Sequence, residues 1–267
     1  MLGSMKKVNT LFLAFCIFLS GTSVQAQSKP VLLYSRCFNA PGENRYAPDG
    51  AYSKVLEALG KEFAVETDDQ ALTADRLANV KVLVLANVSA GPAGTNPPPR
   101  HIGGSDVGLL TKFVQKGGGL IFLSNQPEGH NLDVTNSNKL LAQFGIQQTN
   151  LVTDAKKLEL PASAPLIGGL RWAYYTGNLL LLDPENRSKP EAVVTNDLGQ
   201  KPVKGPRDQA GVLLARATPG KGRVVVITDA GSIANFAFSE EGVGGVAIKG
   251  QDNLEMFLRL TRWAAGK

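Results

Sequence analysis

The sequence predicts an α/β fold: a mostly parallel sheet with helices on both faces and a β-rich addition. Three observations carry that expectation. Short apolar runs alternate with segments of helical period from residue 31 to residue 146, the order that successive βαβ units produce. The run Val82-Leu-Val-Leu-Ala86 is apolar almost throughout, as a strand covered on both faces should be. Between about 150 and 210 the alternation stops, and a β-rich insertion or edge region takes its place.

Each element has its own signal. Val31-Leu-Leu-Tyr-Ser35 follows Pro30 and reads as a first buried strand, and the polar stretch Arg36 to Pro48 reads as the loop after it. Asp49 is placed to cap a helix from about Gly50 to Leu59, with Tyr52, Val55, Leu56 and Leu59 on one face and Gly60 at its end. Phe63 to Thr67 reads as the second strand, Leu72 to Leu77 as a short helix and Val82 to Ala86 as the third strand. Ser89 to Gly104, rich in proline and glycine, is a long loop. Ser105 and Asp106 open the next helix, whose buried stripe is Leu109, Leu110, Phe113 and Val114. Gly119 to Ser124 is the fourth strand. Gly117-Gly118-Gly119 precedes that strand and not a helix N-terminus, so it is a helix-to-strand turn without the dipole that a phosphate loop uses. Leu140, Leu141 and Phe144 mark a helix that stops at Gly145. Leu179 to Leu182 and Ala192 to Thr195 read as strands of the irregular region. Val212 to Ala215 and Arg223 to Thr228 form a hairpin around Pro219-Gly-Lys-Gly222, and a last amphipathic helix runs from about Asn253 to Ala265.

Composition sets outer bounds. The chain has 267 residues, 43% hydrophobic and 19% charged, which fits a globular domain and not a disordered chain. Residues 1–26 read as a secretory signal peptide: Lys6 and Lys7, then the apolar run Leu11 to Leu19, then Val24-Gln25-Ala26 with small residues at the −3 and −1 positions. That run is too short to span a bilayer comfortably. Cleavage after Ala26 leaves one domain, residues 27–267, in the periplasm or outside the cell, with no membrane span. Two of the 28 basic residues leave with the leader, so the formal net charge falls from +5 to +3. No Lys/Arg-rich block is present, so no nucleic-acid partner is expected. Cys16 also leaves, and Cys37 is then without an intramolecular partner. With two cysteines and two histidines in all, neither a metal site nor a cofactor is expected.

In open α/β sheets ligands bind outside the carboxyl ends of the strands, which selects four loops: 36–49, 87–104, 125–131 and 229–235. All are polar or glycine-rich. Arg45 and Asp49 are the charges of the first loop best placed to meet a polar ligand, against the plainer readings of a solvated arginine and a helix cap. Cys37, just after the first strand, is a candidate nucleophile only with a histidine beside it, and a buried structural cysteine is the alternative. Glu128 and His130 are a candidate acid/base pair on the third loop. No nucleophile elbow is present: Phe122 and Gln126 stand where G-x-S-x-G requires glycines around Ser124. Asp229 and Asn235 either contact a ligand or stabilise their own turn.

The ordered set Asp49-Gly50-Ala-Tyr-x-x-x-Leu56-x-x-Leu59-Gly60, Phe113-Val114-x-x-Gly117-Gly118-Gly119-Leu120, Gly220-Lys-Gly-Arg-Val-Val-Val-Ile-Thr-Asp229, Asn235 and Asp252-Asn253 with Phe257 and Trp263 resembles the class I glutamine amidotransferase-like superfamily. It is similar to one branch of that superfamily, a bacterial exported domain of unknown function related to gliding-motility transport-associated proteins and to the amidotransferase-like domain of intraflagellar transport proteins. The resemblance implies a flavodoxin-like three-layer sandwich. It also implies where chemistry would stand: catalytic members carry a Cys at an elbow after a strand and a His-Glu pair late in the chain. Here Ser124-Asn125-Gln126 fills the elbow region, and no histidine follows His130. Trehalose-utilisation-type domains share the triple-glycine turn but end that strand with histidine, where this chain has Ser124 and Asn125.

Three functions follow as expectations. The first is a non-catalytic exported module that binds a small polar ligand, with carbohydrate one class, or a protein partner; its contacts would be Arg45, Asp49, Asn125, Gln126, Asp229 and Asn235. The second is a hydrolase with a rearranged site built from Glu128, His130 and Asp229, or from Cys37 and a histidine, with carbohydrate as the substrate class. The third is an envelope scaffold that holds a transporter or another envelope protein through Trp172, Tyr174 and Tyr175, unless those aromatics are strand core.

Overall fold

The computed structural model describes residues 28–40, 46–90, 97–125, 132–196, 209–238 and 251–267. Among the described residues nine strands form one sheet: β1 (Val31–Ser35), β2 (Ala64–Asp68), β3 (Val80–Leu85), β4 (Gly119–Leu123), β5 (Ile146–Glu159), β6 (Arg171–Leu182), β7 (Glu191–Thr195), β8 (Val212–Ala217) and β9 (Arg223–Ile227). The helices are α1 (Ser53–Gly60), α2 (Ala74–Leu77), α3 (Gly104–Gln115), α4 (Leu132–Thr135), α5 (Ser137–Leu141) and α6 (Asn253–Ala264).

The sheet runs in the order β2-β1-β3-β4-β9-β8-β6-β5, with β7 beside β8. Every pair from β2 to β9 is parallel, and β9–β8, β8–β6, β8–β7 and β6–β5 are antiparallel. Its parallel part, with β9 as the fifth strand, has the 2-1-3-4-5 order of flavodoxin-like folds. Successive strand residues point to opposite faces, and here both faces are covered. Leu32 and Tyr34, Val82 and Val84, Ile121 and Leu123, and Val225 and Ile227 pack with α1 and α6. Leu33, Leu83 and Leu85, Leu120 and Phe122, and Val224 and Val226 pack with α2, α3 and α5. That alternation makes the three-layer sandwich and explains the continuous apolar runs.

The β-rich region is more regular than its sequence suggests. β5 and β6 pair along a ladder from Ile146–Leu182 to Glu159–Arg171, interrupted by a bulge between Gln148 and Val152. Trp172 and Tyr174 lie wholly buried in β6, edge-to-face with ring centroids 5.1 Å apart. These two are strand core and not an exposed anchor, while Tyr175, the third aromatic of the cluster, is half-buried.

Helix α1 begins at Ser53, three residues later than the pattern suggests, and Asp49 is exposed instead of capping it. The cap comes from Asn235, in a 3-10 turn after β9: its Oδ1 accepts from Lys54 N at 3.0 Å, and its Nδ2 donates to Gly50 O and Ser53 Oγ. Helix α3 starts one residue before Ser105. There Asp106 Oδ2 accepts from Gly103 N at 2.9 Å. No described helix is long and apolar enough to cross a membrane.

Candidate functional site

The chain passes from β1 outward to β2 and then back across to β3, so the loops leaving β1 and β3 diverge. A crevice at this point is the usual ligand position of an open α/β sheet. The two loops are tied at their base, where Ser35 O accepts from Ala86 N and Phe38 O accepts from Ser89 N, each at 3.1 Å. Beyond those bonds lies a cavity of about 300 Å³, lined by Arg36, Cys37, Asn39, Asp69, Pro98 and Arg100.

Two side chains of this lining are held in place without meeting their hydrogen-bonding capacity. Asn39 is 8% exposed, and both its Oδ1 and its Nδ2 are buried with no partner. Arg100 is fixed on two sides: Nη2 donates to Asp106 Oδ1 at 2.5 Å, and Cζ sits 4.9 Å from the Phe38 ring centroid. Its Nη1 is buried and unpartnered. Each such group costs about 1–3 kcal/mol when left without a hydrogen bond. The cavity thus has fixed polar groups and unmet demand.

Cys37 shares the lining but is not poised as a nucleophile. Burial pushes its thiol up to about 11, and pairing with Ser35 only partly offsets this. The thiolate that nucleophilic attack requires is scarce at neutral pH.

The strand end that corresponds to an elbow is closed. Ser124 is 4% exposed, its amide donates to Ile227 O at 2.9 Å, and its hydroxyl lies 3.4 Å from Asn178 Oδ1 and 3.5 Å from Ile227 O. Asn125 turns toward the loop after β1, where its Nδ2 donates to the Tyr46 hydroxyl at 3.3 Å. Tyr46 is held in turn, its carbonyl accepting from the Tyr34 hydroxyl at 2.9 Å.

Asp229 is wholly buried. Its Oδ2 accepts from Tyr175 N at 2.6 Å, while Oδ1 has no hydrogen bond. Desolvation raises its carboxyl to about 7, against the smaller opposing pull of the amides of Tyr175, Ser232 and Gly231. Beside it the Tyr174 hydroxyl meets Thr228 Oγ1 at 3.0 Å, and burial also raises that phenol well above its ordinary range. The carboxylate of Asp229 therefore holds β6 against the turn after β9 and is not presented to a ligand. Asn235 is likewise committed, to the start of α1. Of the other sequence candidates, Asp49 is exposed near that same helix start, and Arg45, Gln126, Glu128 and His130 lie outside the described residues.

Asn39 and Arg100 line this cavity but are not among the residues the sequence reading named. Both stood inside loops it had selected. Their distinction is burial without a partner, which no residue pattern displays. Among the described residues no cluster of His, Cys, Asp and Glu is arranged to hold a metal ion.

This strand order, with its crevice at the β1/β3 divergence, defines a flavodoxin-like α/β fold. The solved structures it resembles fit that class. The mmIFT52 N-terminal domain matches at a TM-score of 0.65 and 13% identity over 89% of this chain and 98% of that one. A cytoplasmic protein of Salmonella typhimurium matches at 0.54 and 12% identity, over 88% and 98%. A putative ThuA-like protein of Bacteroides uniformis matches at 0.53 and 12% identity, over 90% and 93%. At these identities the likeness is one of fold. No protein-family model and no curated protein matches the chain.

Proposed function

We propose that this is an exported, non-catalytic amidotransferase-like domain that binds a small polar ligand at the carboxyl edge of its sheet. The observation that carries the reading is the cavity at the β1/β3 divergence, where Asn39 and Arg100 hold buried polar atoms without partners. A ligand that meets those groups recovers the cost of leaving them unmet. A cavity of about 300 Å³ is at the small end of ligand sites, in keeping with a metabolite and not a polymer. The non-catalytic part is supported by the buried Ser124 hydroxyl at the elbow position and by the protonated Cys37 thiol. Export is supported by the leader pattern of residues 1–26.

A ligand that binds the native state alone stabilises it by RT ln(1 + [L]/Kd), so a hundredfold excess over Kd adds about 2.7 kcal/mol. A thermal-shift panel of neutral sugars, sugar acids, amino acids and short carboxylates is expected to give at least one compound that raises Tm by several degrees. A uniform absence of shift across the panel at millimolar concentration removes the small-ligand reading. Mass spectrometry of protein recovered from the periplasm or medium tests export separately: the expected N-terminus is Gln27, and an intact leader in the cytoplasm refutes it.

A further inference from the structure

Building on the small-ligand reading, we propose that the β1/β3 cavity selects a hydroxylated carboxylic acid of monosaccharide size. The choice follows from which polar groups line it and how each is already engaged. Arg100 presents a planar cation whose orientation is set from behind by Asp106 and from one face by Phe38. Its unpartnered Nη1 is a fixed donor, and an arginine held this way suits the planar geometry of a carboxylate. Arg36 adds a second guanidinium to the lining. One wall residue is a carboxylate, Asp69, whose Oδ1 accepts from Gln70 Nε2 at 3.0 Å. A carboxylate on that wall opposes a densely charged dianion and offers an acceptor to a hydroxyl. Asn39 supplies one acceptor and two donors, all unmet, so the matching ligand must both donate and accept. A carboxylate alone leaves Asn39 Oδ1 unpaired. A neutral polyol leaves Arg100 Nη1 without the charge-assisted acceptor that a carboxylate supplies. A molecule carrying both groups meets the whole set.

The test is isothermal titration of the purified protein with D-glucuronate, D-glucose and propionate, repeated on two variants. Glucuronate is expected to bind at least tenfold more tightly than either glucose, which lacks the carboxylate, or propionate, which lacks the hydroxyls. Arg100→Lys keeps a cation beside Asp106 but loses the fork, and is expected to weaken glucuronate at least tenfold. Asn39→Leu replaces a buried, unpartnered amide with an apolar side chain of similar size. The ligand-free variant is therefore expected to be at least as stable as the parent while losing tenfold or more in glucuronate affinity. A purely structural role for Asn39 predicts the reverse: altered stability and unaltered binding. Equal binding of glucose and glucuronate, both sensitive to Asn39→Leu, overturns the acid selection and leaves the small-ligand reading standing. Glucuronate binding that ignores both variants, or no binding of glucuronate, overturns the proposal, and in the latter case the wider thermal-shift panel decides the broader reading independently.

Discussion

Asp229 shows how one residue can be easy to find and hard to interpret from sequence. Its position after an apolar strand marks it as a candidate contact, but only the packing of β6 over it shows that it is sealed from solvent. The consequence is measurable. Its folded-state value of about 7 lies above the ordinary 3.8. The native state therefore binds this proton more tightly than the unfolded chain, and its contribution is fully favourable below pH 3.8. It is lost as pH rises toward 7. At about 1.4 kcal/mol per unit, the loss is on the order of 4 kcal/mol. Glu62 and Asp252 are lowered by Arg262 and Arg171 and bring the opposite slope, so the wild-type profile alone mixes the signs. Subtracting the profile of Asp229→Asn isolates the term. Urea unfolding from pH 4 to pH 8 is expected to show wild-type stability falling relative to the variant, and a parallel pair of profiles contradicts the buried acid. Asn235 makes a second case. It caps a helix 181 residues away in sequence from its own turn, a link that local pattern cannot reveal. Asn235→Ala is expected to cost about 1–2 kcal/mol in a denaturant titration, and a loss below a few tenths removes the cap assignment.

At the level of elements, local sequence was informative wherever a glycine or an apolar period dictated the geometry. The parallel strands and α3 fall within a residue or two of their patterns; β1, β3, β4 and β9 are covered on both faces and must be apolar, whereas the edge strand β2 is exposed or half-buried along its length. The long hairpin of β5 and β6 was mostly illegible: Ile146–Glu159 contains Gln147, Gln148, Thr149, Asn150, Asp154, Lys156 and Lys157, and it is held by cross-strand pairing, not by its own composition. The triple-glycine turn was read correctly as a passage from helix to strand, and the structure supplies its reason. A Cβ on Gly119 would stand 2.4 Å from the Ala264 carbonyl oxygen, and one on Gly118 would stand 2.4 Å from the Phe113 ring. These glycines let α6 and α3 sit directly on the sheet. Gly119→Ala must move the α6 backbone and is expected to destabilise by about 1–3 kcal/mol. Gly108, exposed within α3, has nothing within 4 Å of its would-be Cβ. Gly108→Ala removes freedom from the unfolded chain and adds helix propensity, so it is expected to stabilise by about 0.5–1 kcal/mol. Opposite signs in one set of thermal melts check both; the same sign in both rejects the packing account.

The whole molecule raises the question of whether its parallel and antiparallel parts unfold as one. The ladder that joins the β5–β6 hairpin to the rest of the sheet is thin: β6 meets β8 at a single register pair, Leu180 with Val212. A weak seam of that kind favours independent units. Two other features oppose it. One core runs under both parts and joins Leu158, Trp172, Tyr174 and Leu179 of the antiparallel region to Leu32, Val84, Ile121 and Val225 of the parallel one. Helix α6 also bridges them. Its Asn253 Oδ1 accepts from Ala173 N at 2.9 Å and its Nδ2 donates to Ala173 O at 3.0 Å, while Ala264 packs against Gly119 of β4. Burying a large apolar side chain contributes roughly 1.5–3 kcal/mol. Several such chains shared across the boundary outweigh a missing stretch of backbone ladder, whose bonds bring about 1 kcal/mol each. The two tryptophans report the two regions separately, Trp172 buried in β6 and Trp263 on α6 near Arg216 and Arg223. In Trp263→Phe the remaining fluorescence follows the antiparallel region, and in Trp172→Phe it follows α6. Within each variant, guanidinium unfolding followed by fluorescence and by far-ultraviolet circular dichroism is expected to give one coincident transition. If the Trp172 signal is lost at lower denaturant than the helical signal in the same variant, the seam dominates, and the β-rich region is a separable addition to the sandwich.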